Sequence, residues 1–286
     1  MVQTIAFLVM NGLTLGALLF LIASGLTLAF GLMRMVNLAH GAFYLVGGYV
    51  GISLFKLTGN WPLTVLAGGM IIAVIGFLEE RYLVTWVRGK ELSEVLLTLG
   101  LAMIMGDIAL ATWGGIPQSI PVPQWLNPRV ELGILTYPGY RVLVLLLGVG
   151  IGLAVWALLK KTKLGMAVRA GVDDRETTAA LGINVKRVIT LVFMLSAFLA
   201  GIAGVVGTSF LSIEPGTDYH FLTLSLVVMI IGGMGSLGGA AIAALITGMV
   251  MSFGAAYFPE FSLFLTFAPM ALILAIRPQG LFGRAS

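Results

Sequence analysis

Apolar stretches separated by short polar segments follow one another from the beginning of the sequence to its end. A helix needs about 20 residues to cross roughly 30 Å of hydrocarbon, and these stretches are long enough without the alternation typical of barrel strands. The pattern therefore predicts an all-α, polytopic transmembrane protein. We place its apolar segments at about 5–33, 38–56, 61–79, 93–113, 140–159, 188–208, 222–255 and 257–276.

The seventh segment, 222–255, differs from the others because its middle reads GGMGSLGG at residues 232–239. Glycine costs about 1 kcal/mol relative to alanine inside a helix, so five glycines in eight positions predict a break there. NLAHGA at 37–42 and SLGGAA at 236–241 form a weak internal repeat, each where an apolar segment turns back. Broken helices in two halves of a chain indicate a transport path, since irregular backbone at membrane depth needs protein or water beside it.

Basic side chains are concentrated in one loop, residues 160–187, which holds seven of the 16 Lys and Arg residues. Basic loops stay in the cytoplasm, so this loop is expected there, whereas the segment 209–220, with two acids and no Lys or Arg, is expected outside. The two arginines after residue 276 indicate a cytoplasmic C-terminus. An odd number of crossings must then follow residue 220, so 222–255 enters and returns. The N-terminus and the loop 114–139, whose prolines favour extended structure and turns, are then external.

Composition narrows the classes of function. The sequence is 59% hydrophobic and 10% charged, against about 25% charged in a soluble domain, so we expect one transmembrane domain over 1–286. Zero cysteines exclude disulfides and thiolate metal sites, and with two histidines a metal centre would have to rest on carboxylates. The net charge of +4 comes from loops between spans and does not indicate nucleic acid binding. No set of nucleophile, base and oxyanion donor is visible, so we do not expect an enzyme.

The charged loop contains GVDDRETTAALGI at residues 171–183. Asp173 precedes Glu176 by three residues, which resembles a capping box and predicts a helix start, while Gly182 supplies a C-terminal stop. The resulting helix is about two turns long, roughly 12 Å, and is too short to span a membrane. Its small side chains would let another protein approach its backbone, with Arg169 and Asp174 offering charged contacts. The alternative is a solvated loop kept inside by its basic residues.

Polar residues inside apolar segments are candidates for the path. Asp107 needs a partner or a water-filled cavity, because an aspartate at the bilayer centre costs about 2.5–3.5 kcal/mol. It lines the path, makes a structural hydrogen bond, or lies nearer the external interface than the span implies. Asn37 and His40 flank the first turn and either cap a helix or face substrate, with capping favoured. The glycines permit the turn and close helix contact, or expose carbonyls to substrate: Gly232, Gly233, Gly235, Gly238 and Gly239.

Three stretches resemble one known family. In the charged loop, the pattern is carried by Gly165, Arg169, Ala170, Asp174, Ala180, Gly182 and Ile183. It resembles the coupling-loop signature of bacterial ABC importer permeases, specifically the branched-chain amino acid (LivH-type) permease family. Residues 11–50 are similar to the family's N-terminal signature and 231–240 to its glycine-rich segment. With RPQGLFG at 277–283, the resemblance covers essentially the whole chain.

The resemblance implies an inner-membrane permease whose short cytoplasmic helix fits a cleft on an ATPase subunit. It also implies two such ATPases, a second permease subunit, homologous or identical, and a periplasmic substrate-binding protein. No G-x-x-x-x-G-K-[ST] occurs in the sequence, so the partner ATPases are expected to bind ATP and Mg²⁺, and this chain no cofactor.

The resemblance leaves the transported compound open. Branched-chain or other hydrophobic amino acids are the default, with urea, short amides or aromatic acids as alternatives within the family. A stand-alone channel or ion-coupled carrier is the rival from another class. It accounts for broken helices and Asp107, but it gives no reason for a capped cytoplasmic helix.

Overall fold

The computed structural model describes residues 1–126, 129–132 and 135–283, and these form a helical bundle with one small hairpin. The helices before the hairpin are α1 Val2–Met33, α2 His40–Thr58, α3 Trp61–Glu79, a π-helical turn Glu80–Val84, α4 Thr85–Val87, α5 Glu91–Trp113 and a 3-10 turn Gln124–Leu126. The antiparallel strands are β1 Arg129–Leu132 and β2 Leu135–Pro138. The helices after them are α6 Gly139–Lys161, α7 Lys163–Asp173, α8 Arg175–Ala180, α9 Val185–Thr208, α10 Thr217–Gly232, α11 Leu237–Tyr257, a 3-10 turn Pro259–Phe261 and α12 Ser262–Ile276.

Eight helical stretches in the described part of the chain are long and apolar enough to cross a membrane, and α10, with 16 residues, is a shorter apolar helix. The predicted all-α transmembrane class is therefore confirmed. The predicted break in 222–255 is also confirmed, since α10 and α11 are separate helices joined by a turn at 233–236. Gly233 and Gly235 adopt φ values of 96° and 85° there, a region that residues with a Cβ rarely enter.

Opposite ends of the bundle are fixed by different contacts. At the end that carries the hairpin, the Ile120 amide donates to Thr208 O at 3.1 Å and Trp61 Nε1 donates to Ser209 Oγ at 3.1 Å. At the other end, which we call the α8 end, a Cβ on Gly31 of α1 would lie 3.1 Å from Gly235 Cα. The turn at 233–236 therefore lies at the end where α1 terminates, as the odd number of crossings requires.

Helices α1 and α11 pack closely along their length through small residues. A Cβ on Gly16 would lie 2.9 Å from Ala244 O, and one on Gly248 would lie 2.5 Å from the Gly16 amide nitrogen. Gly12 faces the same part of α11, where its carbonyl contacts Gly248. Small residues four apart let two helix backbones approach in a membrane, where van der Waals packing replaces the hydrophobic effect between helices.

We predict that Gly248→Leu destabilises the protein, because four added carbon atoms must force α11 away from α1. Overpacking a close contact costs about 1–3 kcal/mol or more. Thermal unfolding in detergent, followed by tryptophan fluorescence, should show a lower midpoint and a smaller monodisperse yield. Gly150→Leu is the matched control, since nothing in the described residues lies within 4 Å of a Cβ at Gly150. Equal midpoints for the two variants would contradict the packing argument.

Candidate functional site

Helix α7 is held against the last turn of α6. Thr162 caps α7 by accepting a hydrogen bond from the Gly165 amide at 3.1 Å. A Cβ on Gly165 would overlap the carbonyl oxygens at the end of α6, so glycine is required for this close turn. The Arg169 guanidinium reaches back and donates to Leu159 O. Of the predicted coupling residues, Gly165 and Arg169 therefore orient α7, and Arg169 is engaged within its own chain.

Asp174, and not Asp173, caps the short helix α8. Its Oδ1 accepts from the Glu176 amide at 2.9 Å and the Thr177 amide at 3.1 Å, and Thr177 Oγ1 donates to its Oδ2. These hydrogen bonds, first that of the Thr177 hydroxyl, lower the pKa of the Asp174 carboxyl because they stabilise its charged form. The prediction of Asp173 as the cap is wrong because Asp173 is the last residue of α7.

Sequence reasoning missed α7 itself. The signal was present, since Leu164, Val168 and Val172 recur at a spacing of four residues. Helix α8 has six residues, somewhat less than the two turns predicted. Gly182 ends it as predicted, with φ 83° and its amide donating to Ala179 O at 3.0 Å.

Helix α8 presents a small-residue surface to its surroundings. Thr178 faces inward and is 3% exposed, whereas Thr177, Ala179 and Ala180 are exposed. Leu181, which follows the helix, is 75% exposed. Two further predicted coupling residues, Ala170 and Ile183, are half-buried beside this surface. The predicted residues therefore lie on one continuous segment, of which Arg169, Asp174, Ala180 and Gly182 are exposed.

A buried ion pair that sequence reasoning missed lies at the same end. Arg88 donates to Glu80 Oε1 in a salt bridge, and Thr190 of α9 donates to Glu80 Oε2. Burial is the main cause that lowers the pKa of Arg88. An acid that ends an apolar segment, with an arginine eight residues later, was the available signal. The hydrogen bond from Thr190 to Glu80 ties the π-helical turn after α3 to α9, the helix that also packs against α1 and α2.

Helix α2 begins inside the bundle. His40 is fully buried, with Nε2 2.8 Å from Ile22 O on α1 and Nδ1 3.4 Å from Ser196 Oγ on α9. Ile22 lies 11 residues before the end of α1, so α2 starts about 16 Å back along that helix. Asn37 Oδ1 accepts from the Ala39 amide at 3.0 Å. Neither side chain caps α2: the Asn37 bond lies before the helix begins, and the His40 ring joins α1, α2 and α9, so the favoured capping interpretation is not supported for either residue.

The first turns of α2 and α10 meet. A Cβ on Gly41 would overlap Asp218 O, and the Tyr44 ring stacks on Phe221 with centroids 4.1 Å apart. Asp218 is 4% exposed, so this part of the segment expected as an external acidic loop is instead buried. We call this contact the α2–α10 junction. Beside it lies a cavity of about 300 Å³ lined in part by Glu214, Thr217 and His220.

Asp107 lies next to this junction on α5. A Cβ on its neighbour Gly106 would lie 3.8 Å from Asp218 Oδ2. Asp107 itself is exposed on an apolar face that it shares with Met103 and Ile104. The structure thus brings Gly106 near the start of α10, while Asp107 lies on the open side of α5.

The glycines of the second break lie at the α8 end, away from the α2–α10 junction. A Cβ on Gly239 would overlap Gly232 O, so these two residues bring α10 and α11 together. Gly233 and Gly235 form the turn, and Gly238 is exposed with nothing in the described residues within 4 Å of a Cβ there. The interpretation that these glycines permit a turn and close contact is therefore favoured by the geometry.

Comparison with known proteins gives consistent relatives. Residues 8–274 match the model of the family described as branched-chain amino acid transport system / permease component. The chain is 30% identical to the high-affinity branched-chain amino acid transport system permease protein LivH of Salmonella typhimurium, over 96% of this chain and 94% of that protein. It is also 30% identical to LivM, a permease protein of that system from the same organism, over 94% of this chain and 68% of LivM.

The fold is similar to that of a solved structure, PsaBC from Streptococcus pneumoniae in complex with Fab. The TM-score is 0.52 with 12% sequence identity, and the match covers 94% of this chain and 91% of the solved chain. At this identity, the likeness concerns the fold alone.

We predict that Asp174→Ala frays α8, because two backbone amides lose their acceptor. Loss of an N-cap costs about 1 kcal/mol, which corresponds to about fivefold faster hydrogen exchange at the Glu176 and Thr177 amides. Mass spectrometry of the exchanged peptide measures this rate. Asp173→Ala is the matched control and should leave both amides unchanged. Faster exchange in the control, with none in Asp174→Ala, would restore Asp173 as the cap.

Proposed function

Because the chain belongs to the family of branched-chain amino acid transport system permease components, we propose that it is the membrane subunit of an ATP-driven importer in the bacterial inner membrane. The observation that carries this proposal is α8, a capped helix outside the apolar bundle that exposes the small residues Thr177, Ala179 and Ala180. A stand-alone channel has no use for such a helix. The basic residues around α8 support a cytoplasmic position for it, with the N-terminus outside and the C-terminus inside.

The proposed role of α8 is to enter a cleft on a cytoplasmic ATPase. Ala179 and Ala180 allow close backbone approach, and the exposed Leu181 side chain offers an apolar contact. Gly165 and Arg169 hold α7 against α6, so a push on α8 is passed to the spans instead of being absorbed by a loose loop. The partner ATPases, two in number, bind ATP and Mg²⁺, since this chain lacks a phosphate-binding loop.

The proposed path runs along the face where α2, α5 and α10 come together. Two helices start within the bundle at this place, as they do at substrate sites in transporters built from broken helices. Asp107 is exposed on the open face of α5, beside this place, and a charge at membrane depth requires protein or water beside it. A second permease subunit covers that face, and substrate released by a periplasmic binding protein passes between the two. Asn37 and His40 support the path by fixing the start of α2.

The second subunit is a homologue in this proposal. LivH and LivM occur in one organism, and this chain is equally identical to both, which supports pairing between two related permeases. The transported compounds are branched-chain or other hydrophobic amino acids, the class that the family description and the relatives' names give.

Docking of α8 can be tested with single cysteines, because the natural sequence contains none. We predict that Ala180→Cys crosslinks to an ATPase subunit through a short bifunctional reagent in isolated membranes. Thr178→Cys, on the buried face of the same helix, is the matched control and should not crosslink. Absence of an ATPase adduct from Ala180→Cys, together with ion-dependent uptake by this chain alone in liposomes, would replace the importer with an ion-coupled carrier.

The path can be tested at Asp107. We predict that Asp107→Asn reduces amino acid uptake by at least about tenfold, equivalent to about 1.4 kcal/mol, while membrane yield stays within about twofold. Glu260→Gln removes the same charge from an exposed turn at the hairpin end and should transport normally. Uptake by Asp107→Asn equal to that of Glu260→Gln would assign Asp107 to a role outside the path.

A further inference from the structure

One side chain connects the proposed docking helix to the bundle. Arg175 is the first residue of α8, and its guanidinium donates a hydrogen bond to Leu32 O in the last turn of α1. The contact joins residues 143 positions apart. Glu176, the next residue, is exposed. The contact with α1 is therefore made by Arg175 and not by the whole first turn of α8.

The end of α1 is suited to receive a cation. The last carbonyls of a helix lack intrahelical donors and carry partial negative charge, so a guanidinium there is favourable. Arg34 ends α1 in the left-handed conformation, with φ 55° and its amide donating to Phe30 O at 2.7 Å. Burial is the main cause that lowers the pKa of Arg175, and the neighbouring Arg34 adds to this effect while Glu94 opposes it. Arginine keeps its proton in proteins, so the guanidinium acts here as a cationic donor.

Leu32 is also held from its other side. A Cβ on Gly171 of α7 would lie 3.1 Å from Leu32 Cδ1, so α7 contacts the side chain while Arg175 contacts the carbonyl. The residues between α1 and α2 continue this fixed arrangement, since Met35, Asn37 and Ala39 are buried. The segment cannot absorb a displacement as an exposed loop would.

The segment ends at the α2–α10 junction. His40 is bonded to α1, and Gly41 contacts Asp218 of α10. A continuous set of contacts therefore leads from α8 through Arg175, the end of α1 and residues 34–39 to the face proposed as the path. Such a set transmits motion only where its contacts hold, and Arg175 supplies the polar contact between α8 and α1.

We propose that Arg175 is a positioning residue that makes a displacement of α8 move the end of α1 and, with it, the α2–α10 junction. This proposal rests on the proposed function, because it assumes that an ATPase displaces α8. Arg175 then has a role in coupling and none in ATPase docking. The exposed face of α8 makes the docking contact.

The test uses the assembled transporter, with its partner permease, ATPases and binding protein, in proteoliposomes. Arg175→Gln leaves the Asp174 cap and the exposed face of α8 in place, so we expect ATPase association and ATP hydrolysis to persist. Amino acid uptake should fall by at least about tenfold, so the ATP hydrolysed per molecule transported should rise by the same factor. Arg175→Lys, which keeps a cationic donor, should recover a substantial part of the uptake.

Arg187→Gln is the matched control, since it removes the same charge from an exposed position at the start of α9 and should leave the ratio unchanged. Normal uptake by Arg175→Gln, or joint loss of uptake and ATPase association, would overturn the coupling role. If Arg175→Gln does not fold and insert into the membrane, Arg175→Met, which keeps the aliphatic stem, decides by the same criteria. Failure of the unmodified complex to bind any ATPase would instead refute the proposed function.

Discussion

Breaking an apolar helix releases backbone groups that need hydrogen-bond partners, and this constraint governs both breaks in the molecule. At the end of α10, Ile231 O accepts from the Leu281 amide at 2.9 Å and Gly232 O accepts from the Phe282 amide at 3.1 Å. Before the start of α2, the Asn37 side chain accepts a hydrogen bond from the Ala39 amide. The terminal RPQGLFG is therefore part of the second break, because its backbone satisfies the carbonyls that α10 leaves exposed.

The two breaks and the charged loop meet at the last turn of α1. Gly31 contacts the turn between α10 and α11, and Leu32 contacts both α7 and Arg175. The same end of α1 leads directly into the segment that positions α2. Helix α1 also packs along α11 through its glycines, so a change at its end cannot be confined to one loop. Helix α1 therefore contacts α8, the start of α2 and the turn between α10 and α11, three of the parts that the transport proposal uses.

Local sequence signals were sufficient to predict the spans, the break at 232–239 and the small helix in the basic loop. Hydropathy, glycine content and capping chemistry all act over a few residues. They failed where the outcome depends on distant contacts. Two adjacent aspartates are equivalent as caps until the end of α7 decides between them. Asp218 and His40 are buried because helices from opposite halves of the chain pack together, and the residues next to them in the sequence do not predict this. Likewise, Arg175 and its partner Leu32 are 143 positions apart in the sequence.

The exposed helices complete the argument for a multi-subunit protein. Only 6% of the segment Pro259–Ile276, which ends in α12, is buried within the chain. Its composition is apolar, as contact with lipid requires. Helix α5 is also largely exposed, yet it carries Asp107 on its open face. Lipid can cover the apolar surface of α12 without cost. It cannot cover the surface of α5 in the same way, because hydrocarbon offers the Asp107 carboxylate no partner. The difference between these two faces is the physical reason why we propose that a second permease packs against α5, with α12 facing the bilayer.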